Sequence, residues 1–123
     1  MRFAAFAFAF AVVSAAVPAF AEDAAPPVKI QASEAAAHVG QTVTVVGVLT
    51  NVHKTNSKAV LWDIGGQYPD NPFTVYVNKH DTDVIPDVTP LVGKTIAVTG
   101  LIKLYQNKPE INVTDVKQVA VGQ

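Results

Sequence analysis

The chain contains no cysteine, and its 123 residues include one arginine, Arg2. Without a thiol there is no disulfide framework, no thiol nucleophile and no zinc–thiolate site, so a folded state has to be held by packing alone. The near-absence of arginine removes the planar fork that grips phosphate and carboxylate bidentately. Any site for a polyanion must therefore be local and built on lysine. Beyond residue 21 the chain also lacks an apolar run approaching the roughly 20 residues that cross a bilayer as a helix.

The first 21 residues have a different composition. Met1 and Arg2 give a short positive start, 3–17 is an apolar run, and Ala19-Phe20-Ala21 is a small-x-small cleavage sequence. This pattern predicts a signal peptide over 1–21, cleaved before Glu22. An uncleaved anchor fits less well, because the run is shorter than a span and no stop-transfer charges follow it. With no cysteine to carry a lipid, the expected product is soluble and periplasmic or secreted. It carries eight lysines against ten acidic residues, a formal charge of −2. Its length suits one domain with a single modest core.

Residues 22–37 read as a lead-in, of which 22–27 is acidic, Ala-rich and ends in Pro26-Pro27, with order expected from near Val28. It ends in a short helical turn, with Ser33 as the expected N-cap and Gly40 just beyond the end. A domain is expected over 38–119, with 120–123 as a tail. Within it, 41–53, 58–64, 73–77, 94–105 and 109–119 have the composition of strands bounded by turn residues. Between the third and fourth of these, Val84, Ile85, Val88 and Leu91 are spaced for one apolar face broken by Pro86 and Pro90, which predicts a short helix or turn. In the first strand, Val43 and Val45 have one parity and Val46 and Val48 the other. Gly47 is accordingly expected to mark a bulge or bend.

The most informative feature is a repeat at an offset of 53 residues. Val39-Gly40-Gln41-Thr42-Val43-Thr44-Val45-Val46-Gly47-Val48-Leu49 aligns with Val92-Gly93-Lys94-Thr95-Ile96-Ala97-Val98-Thr99-Gly100-Leu101-Ile102, with both glycines kept. Two bent strands, each opening a hairpin, flank a third strand and a short helix. That order predicts an all-β, five-stranded OB-fold β-barrel.

The Val39 to Gly47 stretch, the Leu61-Trp62-Asp63-Ile64-Gly65-Gly66-Gln67-Tyr68-Pro69 run before Phe73-Thr74-Val75, and the Gly93 to Gly100 strand leading to Lys108-Pro109-Glu110-Ile111 resemble small exported bacterial OB-fold proteins. These are related to the anticodon-binding type of nucleic-acid domain, and the likeness spans 38–119. The resemblance implies a ligand lying across strands two and three, between the loops joining strands one to two and four to five.

Those loops carry Lys54, Lys58, Lys103, Asn107 and Lys108. The four lysines form a candidate rim for a nucleic-acid backbone, against the plainer reading of solvated charges that blunt sheet edges. Tyr76, out of phase with Phe73, Val75 and Val77, and Tyr105, beside the second turn, are candidate stacking platforms. Trp62 shares parity with Val60 and Ile64 and is expected in the core. Ligand-binding candidates are thus Lys54, Lys58, Tyr76, Lys103, Tyr105 and Lys108.

His80, Asp81, Asp83 and Asp87 are the densest set of oxygen and nitrogen ligands, better explained as an acidic helix start than as a metal site. Ser33, Ser57, His38, His53 and the acids show no nucleophile motif. A nuclease of the staphylococcal type would need arginines that are not there. The expectation is a non-catalytic binding module without cofactor or metal. Its ligand would be single-stranded nucleic acid or, alternatively, an envelope protein or glycan.

Overall fold

The computed structural model describes residues 27–122; the expected signal peptide and its cleavage point lie outside them. Seven strands run β1 Lys29–Gln31, β2 Thr42–Lys54, β3 Val60–Ile64, β4 Phe73–Val77, β5 Thr95–Tyr105, β6 Lys108–Asn112 and β7 Val119–Val121. β2, β3, β4, β6 and β5 pair in that order, and β5 pairs back onto β2, so five strands close a ring. The β4–β6 pairing is parallel, while β2–β3, β3–β4, β5–β6 and β2–β5 are antiparallel. This is the OB layout.

Alternation fills the barrel. Val43, Val45 and Leu49 of β2, Trp62 and Ile64 of β3, Phe73, Val75 and Val77 of β4, Ile96, Val98 and Ile102 of β5 and Ile111 of β6 all point inward. β2 and β5 are long enough to serve two partners each: β2 pairs with β5 up to Val48 and with β3 from Leu49, and β5 pairs with β2 up to Leu101 and with β6 from Ile102. The sharing requires each strand to curl, and the curl falls at the repeat's second glycine. A Cβ on Gly47 would stand 2.7 Å from Ile64 Cγ2, and one on Gly100 would stand 2.6 Å from Ile111 Cγ2. Glycine is there because the hairpin partner crosses too close for a side chain.

The change of phase expected at Gly47 sits elsewhere. Positions 43, 45, 47 and 49 keep one inward parity, and the register shifts between Leu49 and Asn51, leaving Thr50 as the bulged residue and turning Val52 toward the core. Thr50 Oγ1 donates to the Asp63 carbonyl at 2.9 Å, holding the bulge against β3.

Order begins where expected, near Val28, but the entry segment adds a strand and core residues to the barrel. β1 pairs in parallel with β2, and Ile30, Ala32 and Ala35 are buried in the core. The 3-10 helix Ala32–His38 closes one end of the barrel, with Ala32 Cβ 3.0 Å from the position a Gly47 Cβ would take. Its N-cap is Gln31 rather than Ser33: the Gln31 amide donates to Glu34 Oε1 at 2.8 Å in a capping box. The expected final strand 109–119 is also divided, β6 ending at Asn112 and β7 beginning after the 3-10 turn Val116–Gln118 to pair with β5.

The other end is closed by the connection between β4 and β5. Pro86 and Pro90 confine it to two single 3-10 turns, Lys79–Asp81 and Thr89–Leu91, and Ile85 and Val88 drop into the core between them. Among the described residues no helix is long and apolar enough to cross a membrane.

Candidate functional site

Because β3, β4 and β6 send alternate side chains outward, the outer face of the sheet is a grid set by register. One row runs Asn51, Asp63, Thr74, Glu110, Lys103 across β2, β3, β4, β6 and β5; the next includes Leu61, Tyr76 and Asn112. Three connections wall this face: the β2–β3 turn with Thr55 and Ser57, the β3–β4 loop with Tyr68 and Pro69, and the β5–β6 turn with Tyr105 and Gln106. The result is a groove of about 690 Å³, of a size that takes a small-molecule-sized group.

The groove brings together four of the six residues singled out in the sequence: Tyr76, Lys103, Tyr105 and Lys108. Tyr105 is exposed, and Tyr76 is half-buried in the floor. Lys54 is not among them. It lines a separate cavity of about 350 Å³ with Trp62, Ile85 and Asp87, at the barrel end closed by the β4–β5 connection. Lys58 lies at the tip of the β2–β3 turn, exposed and held at φ 75°, and lines neither cavity. Trp62 is buried in the core as expected.

The four-lysine rim is therefore not formed, and Lys108 departs furthest from it. Its Nζ donates to the Pro69 carbonyl at 2.7 Å, the Asn71 carbonyl at 2.7 Å and Asn71 Oδ1 at 3.2 Å, and lies 6.0 Å from the Tyr68 ring centroid. An ammonium has three donors and all three are engaged. Lys108 is a clasp that fixes the β3–β4 loop to β6, leaving Lys103 as the exposed lysine of the groove. The buried Asn71 continues the clasp, its Nδ2 donating to the Phe73 carbonyl and to Thr74 Oγ1.

Among the groove residues that sequence reasoning did not single out are Asp63, Tyr68, Glu110 and Asn112. Asp63 shares outward parity with Leu61, and an acid in mid-strand of a short barrel strand was the signal available for it. Both its carboxylate oxygens are buried without a hydrogen bond, and His53 Nε2 is 3.6 Å from Oδ1. Burial pushes the Glu110 carboxyl above the usual range, with Lys103 opposing the shift. Away from the groove, Asp87 is held below its ordinary range by the Thr89 hydroxyl and amide, both of which donate to it. It is a turn cap. Among the described residues, no three histidine or acidic side chains gather as a metal would require.

No protein-family model matches the chain, and no curated protein matches it. Among solved structures, one provisionally described as an aspartyl-tRNA synthetase from Leishmania major Friedlin superposes with a TM-score of 0.54 at 11% identity, covering 88% of this chain and 22% of that one. What is shared is the OB fold. This chain spans about a fifth of that protein's length, and the likeness extends to fold alone. An aspartyl-tRNA synthetase from Entamoeba histolytica (TM-score 0.42, 17% identity, 69% of this chain and 19% of that) and U. maydis replication protein A bound to ssDNA (0.39, 22%, 80% and 74%) superpose more loosely and carry no further argument.

Proposed function

We propose that this chain is a non-catalytic OB module, exported by a bacterial-type signal peptide to the periplasm or beyond, that binds single-stranded nucleic acid in the groove over β3, β4 and β6. The observation that carries the reading is the groove itself. It lies at the OB ligand position between the two hairpin turns and is ringed by Tyr68, Tyr76 and Tyr105. Aromatic rings along an open OB face are sequence-tolerant platforms for unstacked bases, each contributing about 1–3 kcal/mol.

The charge distribution supports one orientation of such a ligand. Asp63 and Glu110 on the floor repel phosphate, so bases face inward and the backbone runs along the outer wall by Lys103. With one or two phosphate contacts, affinity should fall with salt at a log–log slope of about −0.7 to −1.4, where a four-lysine rim would give about −2.8. Fluorescence anisotropy of labelled single-stranded DNA and RNA across a salt series tests this directly. Binding with the shallow slope supports the reading; no binding at low salt overturns it and leaves an envelope protein or glycan as the ligand class.

A further inference from the structure

A carboxylate buried without a partner costs stability, because nothing replaces the water it has lost. Asp63 is 1% exposed, and neither of its oxygens accepts a hydrogen bond. The nearby His53 Nε2, at 3.6 Å from Oδ1, is at ion-pair distance but outside hydrogen-bond reach, and it makes no hydrogen bond of its own. Asp63 lines the groove, and so does Asn112, whose buried Oδ1 is likewise unpartnered. The Thr74 hydroxyl, opposite Asp63 on β4, already accepts from Asn71 Nδ2. Among the described residues, the buried groove-lining atoms that lack any hydrogen-bond partner are the Asp63 and Asn112 oxygens, all acceptors, and their centre is two carboxylate oxygens side by side on a rigid strand. The group that fits must donate twice.

We infer that Asp63 receives the Watson–Crick edge of a guanine, an inference that rests on the single-strand reading above. Unpaired bases are read on that edge, and the four differ in what they present. Guanine offers two adjacent donors, N1–H and the 2-amino group. Adenine and cytosine set one amino donor beside a ring-nitrogen acceptor, and thymine or uracil sets one N–H between two carbonyls. A carboxylate opposed to any of those acceptors is repelled, so guanine alone pairs with both oxygens. The oxygens are closed to water in the ligand-free chain, and a base has to enter as a side chain yields. His53 and Tyr68, with ring centroids 6.3 Å apart and substantial exposure, have the room to do so.

The test uses anisotropy with thymine oligomers of roughly ten nucleotides carrying one central guanine, hypoxanthine, adenine or cytosine, titrated with the chain and with Asp63→Asn. The expected result is guanine tighter than adenine or cytosine by about tenfold, with hypoxanthine, which lacks the 2-amino group, in between. Asp63→Asn should erase the preference among the four oligomers. If that variant does not fold, the guanine-to-hypoxanthine loss in the unaltered chain decides the matter. Equal binding of all four oligomers, or a guanine preference that survives in Asp63→Asn, overturns the inference and leaves single-strand binding standing. Binding of none overturns both, and an arginine-containing peptide whose binding is lost in Asp63→Asn would reassign the carboxylate to a guanidinium.

Discussion

Val45 of β2 lies directly opposite Val98 of β5 in the antiparallel ladder, and the two are the same position in the two copies of the 53-residue repeat. A local two-fold axis passes through that pair. The hydrogen bonds obey it: Gly40 N donates to the Ile102 carbonyl and Gly93 N to that of Leu49, while Ile102 N donates to the Gln41 carbonyl and Leu49 N to that of Lys94. Gly40 and Gly93, at φ 89° and 93°, make the same left-handed turn ahead of each strand. The repeat is thus a packing device, in which one bent strand used twice closes the barrel on itself.

The symmetry makes a prediction about the two bend glycines. Gly47→Ala and Gly100→Ala each drive a methyl into the Cγ2 of an inward isoleucine, Ile64 or Ile111, and each should lower unfolding stability by about 1–3 kcal/mol. Ile64→Leu removes the β-branched methyl, so its combination with Gly47→Ala should cost less than the two changes added separately. Urea unfolding of the three single variants and of the Gly47→Ala/Ile64→Leu double variant measures this. Strict additivity would mean that the clash is relieved by backbone movement instead.

Lys108 should behave as a structural residue. Lys108→Met keeps the aliphatic stem and leaves the Pro69 and Asn71 acceptors short of donors, with an expected loss of about 1–3 kcal/mol. Lys54→Met and Lys58→Met, whose lysines are exposed, should stay within about 0.5 kcal/mol. Hydrogen exchange supplies a local readout: the Asp70 amide, bonded to the Gln67 carbonyl within the clasped loop, should exchange faster in the Lys108 variant alone. Equal behaviour of the three lysines would remove the clasp.

The parts legible in the sequence were those that depend on neighbours along the chain. Alternation placed Trp62, Phe73, Val75 and Val77 inside and Tyr76 outside, and the repeat marked Gly47 and Gly100 as special. It did not say why, since the reason is the approach of Ile64 and Ile111 from a different strand. β1 escaped because one inward Ile30 between Lys29 and Gln31 has no period to detect. Lys108 and Lys54 were misplaced for a related cause. A lysine's position along the chain fixes its strand end, but its ammonium goes where acceptors wait, and those of Lys108 belong to residues 37 to 39 positions away.

Glu110 lies between Thr74 and Lys103 in the groove floor, and its half-buried carboxyl should leave a pH signature on stability. Burial is the larger influence and raises its pKa; Lys103 lowers it in part. The folded chain therefore holds this proton more tightly than the unfolded chain does. The stabilising contribution is complete below the ordinary carboxylate range and is lost as pH rises through the raised folded value. At neutral pH the charged, partly desolvated Glu110 is then a liability, kept below about 1 kcal/mol by solvent screening. Glu110→Gln should raise the urea midpoint near pH 7 and change it least where the carboxyl is protonated in both states. Lys103→Gln should do the reverse at neutral pH, because it removes the charge that offsets the burial. Urea unfolding of both variants over a pH series checks the sign, and a Glu110→Gln gain that persists undiminished at acid pH would mean that packing rather than titration is its source.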